Sequence, residues 1–235
     1  MIEEMLLDDQ VILITGATGG LGDSVTRAFL SAGARVAGVS RKVQDADFAH
    51  PRFSAFPAVA SNSGAARTLV DAVVAKLGRV DTLVHLVGSY AGGSSVAETE
   101  DAVVERMLQL NYVSAFALCR AVIPHMRARG SGCILAVGSR AAVEPAPMSA
   151  AYAAAKAALV SLIRSVASEN QDRGITANVA LPGTMDTPAN RAATPAADFA
   201  RWVDPKQVAA LLVHLASAQA THVSGTLIPV YGREL

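Results

Sequence analysis

The chain has 235 residues, with 20 Lys+Arg set against 20 Asp+Glu, 51% hydrophobic and 17% charged residues, and a mean hydropathy of +0.34. A chain this long and apolar buries about 70–75% of its unfolded surface and needs no disulfide or metal to fold. Zero net charge excludes a general binder of phosphate backbones, which needs excess basic charge, and the hydropathy excludes disorder.

From the start, Met1–Asp9 is acidic where a signal peptide begins basic. No run approaches the ~18 consecutive apolar residues that span a bilayer. A soluble, cytoplasmic protein with neither membrane nor nucleic-acid partner is expected. Val11–Thr15 is a charge-free β-branched run ending at a glycine cluster, which suits a strand covered on both faces. Leu21–Ala32 has helical spacing, with Gly33 placed to end it. Arg35–Val39 is the next strand, and 40–52 a polar loop. Phe53–Val59 is a third strand, put at a sheet edge by Pro57. Asn62 can cap a helix to Leu77 that Gly78 ends. Val80–Val87 reads as a strand, followed by the glycine-rich loop Gly88–Ser95.

Residues 99–129 read as one long helix containing Pro124, Cys133–Val137 as a strand, and 149–172 as a second long helix. Ile175–Leu181 is a strand ending at Pro182-Gly183. Residues 184–204 are expected to be irregular, Pro205–Ser217 helical, and Thr226–Tyr231 the last strand. Strands alternating with helices imply βαβ units, a parallel sheet of about seven strands and, through right-handed crossovers, helices on both faces. With no repeat or linker, one domain over 1–235 is expected. Cys119 and Cys133 are the only cysteines, which excludes a disulfide framework and a Cys₄ zinc site and leaves buried free thiols.

The first strand runs into Thr15-Gly16-Ala17-Thr18-Gly19-Gly20-Leu21-Gly22 and then a helix. Gly16 allows the tight turn, Gly20 lets backbone approach a pyrophosphate, and Gly22 lets the helix pack close. The helix N-terminus then offers N–H groups to the anion. The glycine order is Thr-Gly-x-x-x-Gly-x-Gly, and with it the chain resembles the short-chain dehydrogenase/reductase family. The resemblance implies a single-domain Rossmann fold, that is, an α/β doubly wound parallel sheet. The second strand ends Val39-Ser40-Arg41-Lys42, without the carboxylate that would hold a ribose 2′-hydroxyl. Ser40 and Arg41 suit a 2′-phosphate, so NADP(H) is expected over NAD(H); a solvated basic turn is the bland alternative.

Tyr152 and Lys156 stand four apart on one helical face. An ammonium near a phenol of ordinary pKa ~10 favours phenolate and is expected to lower that pKa. On spacing alone such a pair is weak. The family carries a Ser thirteen residues before this Tyr-x-x-x-Lys and an Asn further upstream; here these are Ser139 and Asn111. The resemblance implies that Tyr152 donates a proton, Ser139 orients the carbonyl oxygen, Lys156 tunes the tyrosine and binds nicotinamide ribose, and Asn111 supports a water relay. It also implies cofactor contacts at Thr15, Gly16, Thr18, Gly19, Gly20, Leu21, Gly22, Ser40, Arg41, Val59, Val87 and Gly88. Further along the chain, Tyr152, Lys156, Pro182, Gly183, Met185 and Thr187 join that set. Tyr90, Met148 and Trp202 are the substrate residues it suggests, with 184–204 as a short lid.

Some positions depart from the family pattern. His85-Leu86-Val87-Gly88 replaces Asn-Asn-Ala-Gly, and His85 either substitutes for an asparagine in the sheet or is a buried structural histidine. Pro57-Ala58-Val59-Ala60 lacks an acidic adenine contact, and Tyr231-Gly232 replaces a terminal Gly-Gly. The stretches Asp186–Arg191 and Ala197–Trp202, with Tyr90 between Gly88 and Gly92-Gly93, are similar to dihydropteridine reductases, although those usually read NADH and lack a serine at the place of Ser139. His50, His125, His214 and His222 have no metal-ligand spacing, and Met5, Met107 and Met126 read as packing. Three functions follow: a carbonyl reductase or alcohol dehydrogenase, a quinonoid dihydropterin reductase, or a non-catalytic nucleotide sensor on the same fold. A small-molecule substrate and a homodimer or homotetramer are expected, with Ala115, Phe116, Ala117, Leu118, Ala157, Ala158, Leu159 and Leu162 lying either at the interface or in the core.

Overall fold

The computed structural model describes residues 6–144 and 147–233; Met5 lies outside them. The strands are β1 (Val11–Thr15), β2 (Arg35–Ser40), β3 (Phe53–Pro57), β4 (Thr82–His85), β5 (Gly132–Val137), β6 (Ile175–Pro182) and β7 (Leu227–Val230). They form one sheet in the order β3-β2-β1-β4-β5-β6-β7, and every pairing is parallel. β1 is buried at all five positions, which is why its run carries no charge. β3 takes the edge, where Pro57 costs the ladder little. Chain order reverses between β1 and β4, opening a crevice at the C-terminal ends of the strands.

The helices are α1 (Gly22–Ser31), α2 (Ser63–Leu77), α3 (Asp101–Leu108), α4 (Ser114–Arg129), α5 (Ala150–Asn170), α6 (Pro188–Ala193) and α7 (Pro205–Ala216). On one face Val70, Leu118 and Leu159 of α2, α4 and α5 pack with Leu13 and Ile134. On the other, Phe29 of α1 and Leu212 of α7 meet Ile12 and Leu135. Asn62 Oδ1 accepts from Ala65 N at 2.9 Å and Gly78 closes α2 at φ +86°; such an N-cap is worth ~1 kcal/mol. The stretches Asp101–Arg129 and Ala150–Arg173 are long and apolar enough for a bilayer span, yet 44% and 50% of their apolar windows are buried in this fold. Ala115, Ala117, Leu118 and Leu159 face the core, whereas Phe116 is 44% exposed. Both cysteines are buried and free, and burial pushes their thiols up to about 12 and about 11.

The segment 99–129 is not one regular helix. A π-helical turn, Gln109–Val113, separates α3 from α4. It inserts one residue without ending the helix, so the apolar pattern runs on across it. The fourth strand is shorter than Val80–Val87, and the third stops at Pro57. Residues 184–204 are more ordered than expected. Thr187 Oγ1 accepts from Asn190 N and Pro188 starts α6, while Met185 bridges to Val203.

Candidate active site

Gly16 turns the chain out of β1 at φ +75°. A Cβ on Gly22 would lie 1.9 Å from Gly16 O and 2.8 Å from Ala17 backbone, so only hydrogen fits there. No side chain caps α1 at Leu21; Asp23 N is taken by Gly19 O, which leaves the other leading N–H groups and the positive dipole end for an anion. This uncapped, glycine-rich cradle fits a dinucleotide pyrophosphate. A Cβ on Gly20 would lie 3.1 Å from Thr187 Cγ2, so Thr187 borders the same turn. Thr18 Oγ1 and Ser40 Oγ are 2.9 Å apart. Arg41 and Lys42 are exposed, and neither pairs with a carboxylate among the described residues. A cleft of about 260 Å³ lies beside them, lined by Thr18, Asp23, Lys42, Asp47 and Phe48.

The four catalytic candidates meet beyond β4 and β5. Lys156, 5% exposed, donates from Nζ to Val137 O at 2.8 Å and lies 5.9 Å from the Tyr152 ring centroid. The Ser139 hydroxyl acts to lower the Tyr152 pKa, and its Oγ accepts from Ala141 N at 3.2 Å. Asn111 is fully buried in the π turn. Its Oδ1 accepts from Ser89 N, and its Nδ2 donates to Ser89 O and Met107 O at 3.0 Å each. Gly88 fills the angle between them: a Cβ there would lie 2.6 Å from Asn111 Oδ1 and 3.1 Å from Lys156 Nζ.

The expected lowering of the Tyr152 pKa does not hold in this geometry. Burial pushes the phenol above its ordinary value; the Ser139 hydroxyl opposes this, and Tyr90 adds to the rise. The Lys156 ammonium is spent on Val137 O and stands off the ring, so desolvation wins. Burial also pushes Lys156 down to about 8. The Asn111 amide is committed to protein partners, so any support it gives a relay comes from the turn it holds, not from a free side chain.

Val87 and Gly88 follow β4, Val59 is exposed just beyond β3, and Pro182 ends β6, after which Gly183 N donates to Val230 O at 3.0 Å. Among the substrate candidates, Tyr90 packs edge-on to Tyr152 with ring centroids 5.1 Å apart. The Tyr90 hydroxyl occupies the space a Cβ on Gly92 would need, and Gly93 N donates to Met148 O at 2.8 Å. Trp202 is not brought to this cluster by any ring contact of the described residues; it packs on Phe199 at 4.8 Å. His85 makes hydrogen bonds in place of the asparagine it replaces, as the sequence offered, but its partners, Thr15 and Ser114, were not named there. Burial, then Lys156, pushes His85 down to about 3, so its ring is neutral.

Residues 10–198 match the short chain dehydrogenase family. The chain is 31% identical over 249 residues to the short chain dehydrogenase adrF of Penicillium roqueforti, with 96% of each covered. It is similar to the solved 3-ketoacyl-(acyl-carrier-protein) reductase of Brucella melitensis, complexed with NADH, at TM-score 0.88 and 28% identity over 97% of this chain and 100% of that one. ElxO with NADP bound shares the fold alone, at TM-score 0.90 and 22% identity over 95% and 98% of the two chains. Neither the pterin-reductase nor the non-catalytic reading is favoured by these likenesses. The chain belongs to the short-chain dehydrogenase/reductase family and is an NAD(P)-dependent oxidoreductase.

Proposed function

We propose that the protein is an NADP(H)-dependent carbonyl reductase acting on a small ketone, aldehyde or quinone. A bound nicotinamide cofactor supplies the hydride. Ser139 holds the carbonyl oxygen, and Tyr152 gives that oxygen its proton. Burial keeps Tyr152 a phenol at neutral pH, which suits reduction, where the developing alkoxide is far more basic than phenolate. Lys156, charged below about pH 8 and drawn to Val137 O, would hold the nicotinamide ribose. Asn111 keeps the π turn against Gly88 and Lys156. The observation that carries this proposal is that buried Lys156 and Asn111 meet at Gly88, with half-buried Tyr152 beside Lys156 and half-buried Ser139 acting on the Tyr152 phenol.

Selection of NADPH is assigned to exposed Thr18 and Arg41 with half-buried Ser40, none of them committed to a carboxylate among the described residues. In this reading Thr15 to Gly22 hold the pyrophosphate, while Val59, Val87, Gly88, Pro182, Gly183, Met185 and Thr187 line the rest of the cofactor crevice. Tyr90 and Met148 wall the substrate side, and 184–204 is a short lid carrying Trp202, all on one domain spanning 1–235. Exposed Phe116 on α4 supports a homo-oligomer, which sedimentation would size.

The test is NADPH oxidation with a panel of ketones and quinones beside a quinonoid dihydropterin. Turnover of a carbonyl is expected, and Tyr152→Phe should lower it by about 10²–10⁴, the usual worth of a general acid, with NADPH affinity kept. A fully active Tyr152→Phe, or turnover of the pterin alone, refutes the proposal.

A further inference from the structure

His85 ends β4 and is 2% exposed, and the chemistry above leaves it unused. Both ring nitrogens are engaged: Thr15 Oγ1 is 3.0 Å from Nδ1, and Ser114 Oγ is 3.4 Å from Nε2. The tautomer follows from the next bond along. The Ser114 hydroxyl donates its single proton to Leu110 O at 2.8 Å, so toward the ring it only accepts. Nε2 therefore carries the imidazole proton, and Nδ1 accepts from the Thr15 hydroxyl. The bonds run one way, from Thr15 through His85 and Ser114 to Leu110. One end is the residue before Gly16, in the phosphate turn. The other is a carbonyl inside the π turn, one residue before Asn111, whose amide rests against Gly88.

We infer that His85 is a positioning residue with two separable arms. Through Thr15 it fixes the glycine turn that receives the cofactor, and through Ser114 it fixes the π turn that carries Asn111. A strand-end histidine that merely filled space would need neither hydroxyl. Here the ring is long enough to reach both, because Nδ1 and Nε2 point toward different elements.

Two amide substitutions separate the arms. An asparagine amide ends near the place of Nδ1, and a glutamine amide near that of Nε2. The readouts are NADPH affinity, from cofactor fluorescence, and backbone hydrogen exchange over residues 107–114. His85→Asn should keep the NADPH Kd within about two-fold while exchange in 107–114 speeds by about ten-fold. His85→Gln should keep exchange and weaken NADPH by about five-fold, the worth of one net hydrogen bond. Ser114→Ala should reproduce the asparagine pattern and Thr15→Val the glutamine pattern. If both His85 variants fail to fold, those two hydroxyl variants decide the matter. Equal behaviour of the asparagine and glutamine variants, or both readouts moving together in Ser114→Ala and Thr15→Val, overturns the proposal. A wild-type protein that binds neither NADPH nor NADH would defeat the cofactor reading instead, and the exchange measurement would still test the Ser114 arm.

Discussion

Gly88→Ala probes the site through a single methyl group. The added Cβ would stand 2.6 Å from Asn111 Oδ1, against about 3.4 Å for an ordinary carbon–oxygen contact, so the amide must retreat by roughly 0.8 Å. Asn111 has nowhere to go. It is fully buried, and its Nδ2 bonds to Ser89 O and Met107 O are already 3.0 Å long. A shift of that size carries at least one of them past hydrogen-bond range. One or two such bonds at ~1 kcal/mol each, with overpacking of about 1–3 kcal/mol, give a loss of about 2–5 kcal/mol. For a chain of this size that lowers Tm by about 4–20 °C. The same methyl crowds Lys156 Nζ at 3.1 Å, so kcat should fall by about 10–100-fold. Thermal unfolding and steady-state NADPH oxidation read the two effects. Gly64→Ala in α2 is the control, since its Cβ would meet only Asn62 Oδ1 at 3.4 Å and should stabilise by about 0.5–1 kcal/mol. A Gly88→Ala protein with wild-type Tm and kcat would show that Asn111 and Lys156 do not need this close approach.

Arg41→Ala should raise the KM for NADPH at least about ten-fold more than the KM for NADH, as loss of a charge-assisted phosphate contact requires; equal changes would remove Arg41 from cofactor selection. His85 sits at about 3 in the folded chain against an ordinary 6.5, so its contribution to stability is present above pH 6.5 and is lost as pH falls toward 3. At pH 4 the loss is about 3 kcal/mol, and urea midpoints at pH 7 and pH 4 should show a steeper fall for wild type than for His85→Gln. Alcohol oxidation needs Tyr152 as a base, and burial holds it protonated, so the oxidation optimum should lie at higher pH than the reduction optimum. Coincident optima in paired initial-rate profiles would count against Tyr152 as the proton-transfer group.

What could be read from the sequence was set by contacts close along the chain. Val11–Thr15 must be a central strand because nothing charged interrupts it, and Asn62 and Gly78 mark the ends of α2 by their own backbone preferences. The thirteen-residue step from Ser139 to Tyr152 spans the end of one strand and the start of one helix, so it survives as a recognisable spacing. The π turn was invisible because one inserted residue leaves the apolar pattern of 99–129 unbroken, while its consequence, a buried Asn111 amide, depends on Ser89 and Gly88 more than twenty positions away. Trp202 packs on Phe199, three residues before it. The phenol shows the same division most sharply. Four positions along a helix establish only that Tyr152 and Lys156 share a face. Whether the cation acidifies the ring depends on where Nζ points, and Val137 O, on a strand nineteen residues earlier, draws it away. Burial acts on the hydroxyl whichever way the lysine turns, so the tertiary effect prevails over the local one and leaves Tyr152 a proton donor at neutral pH.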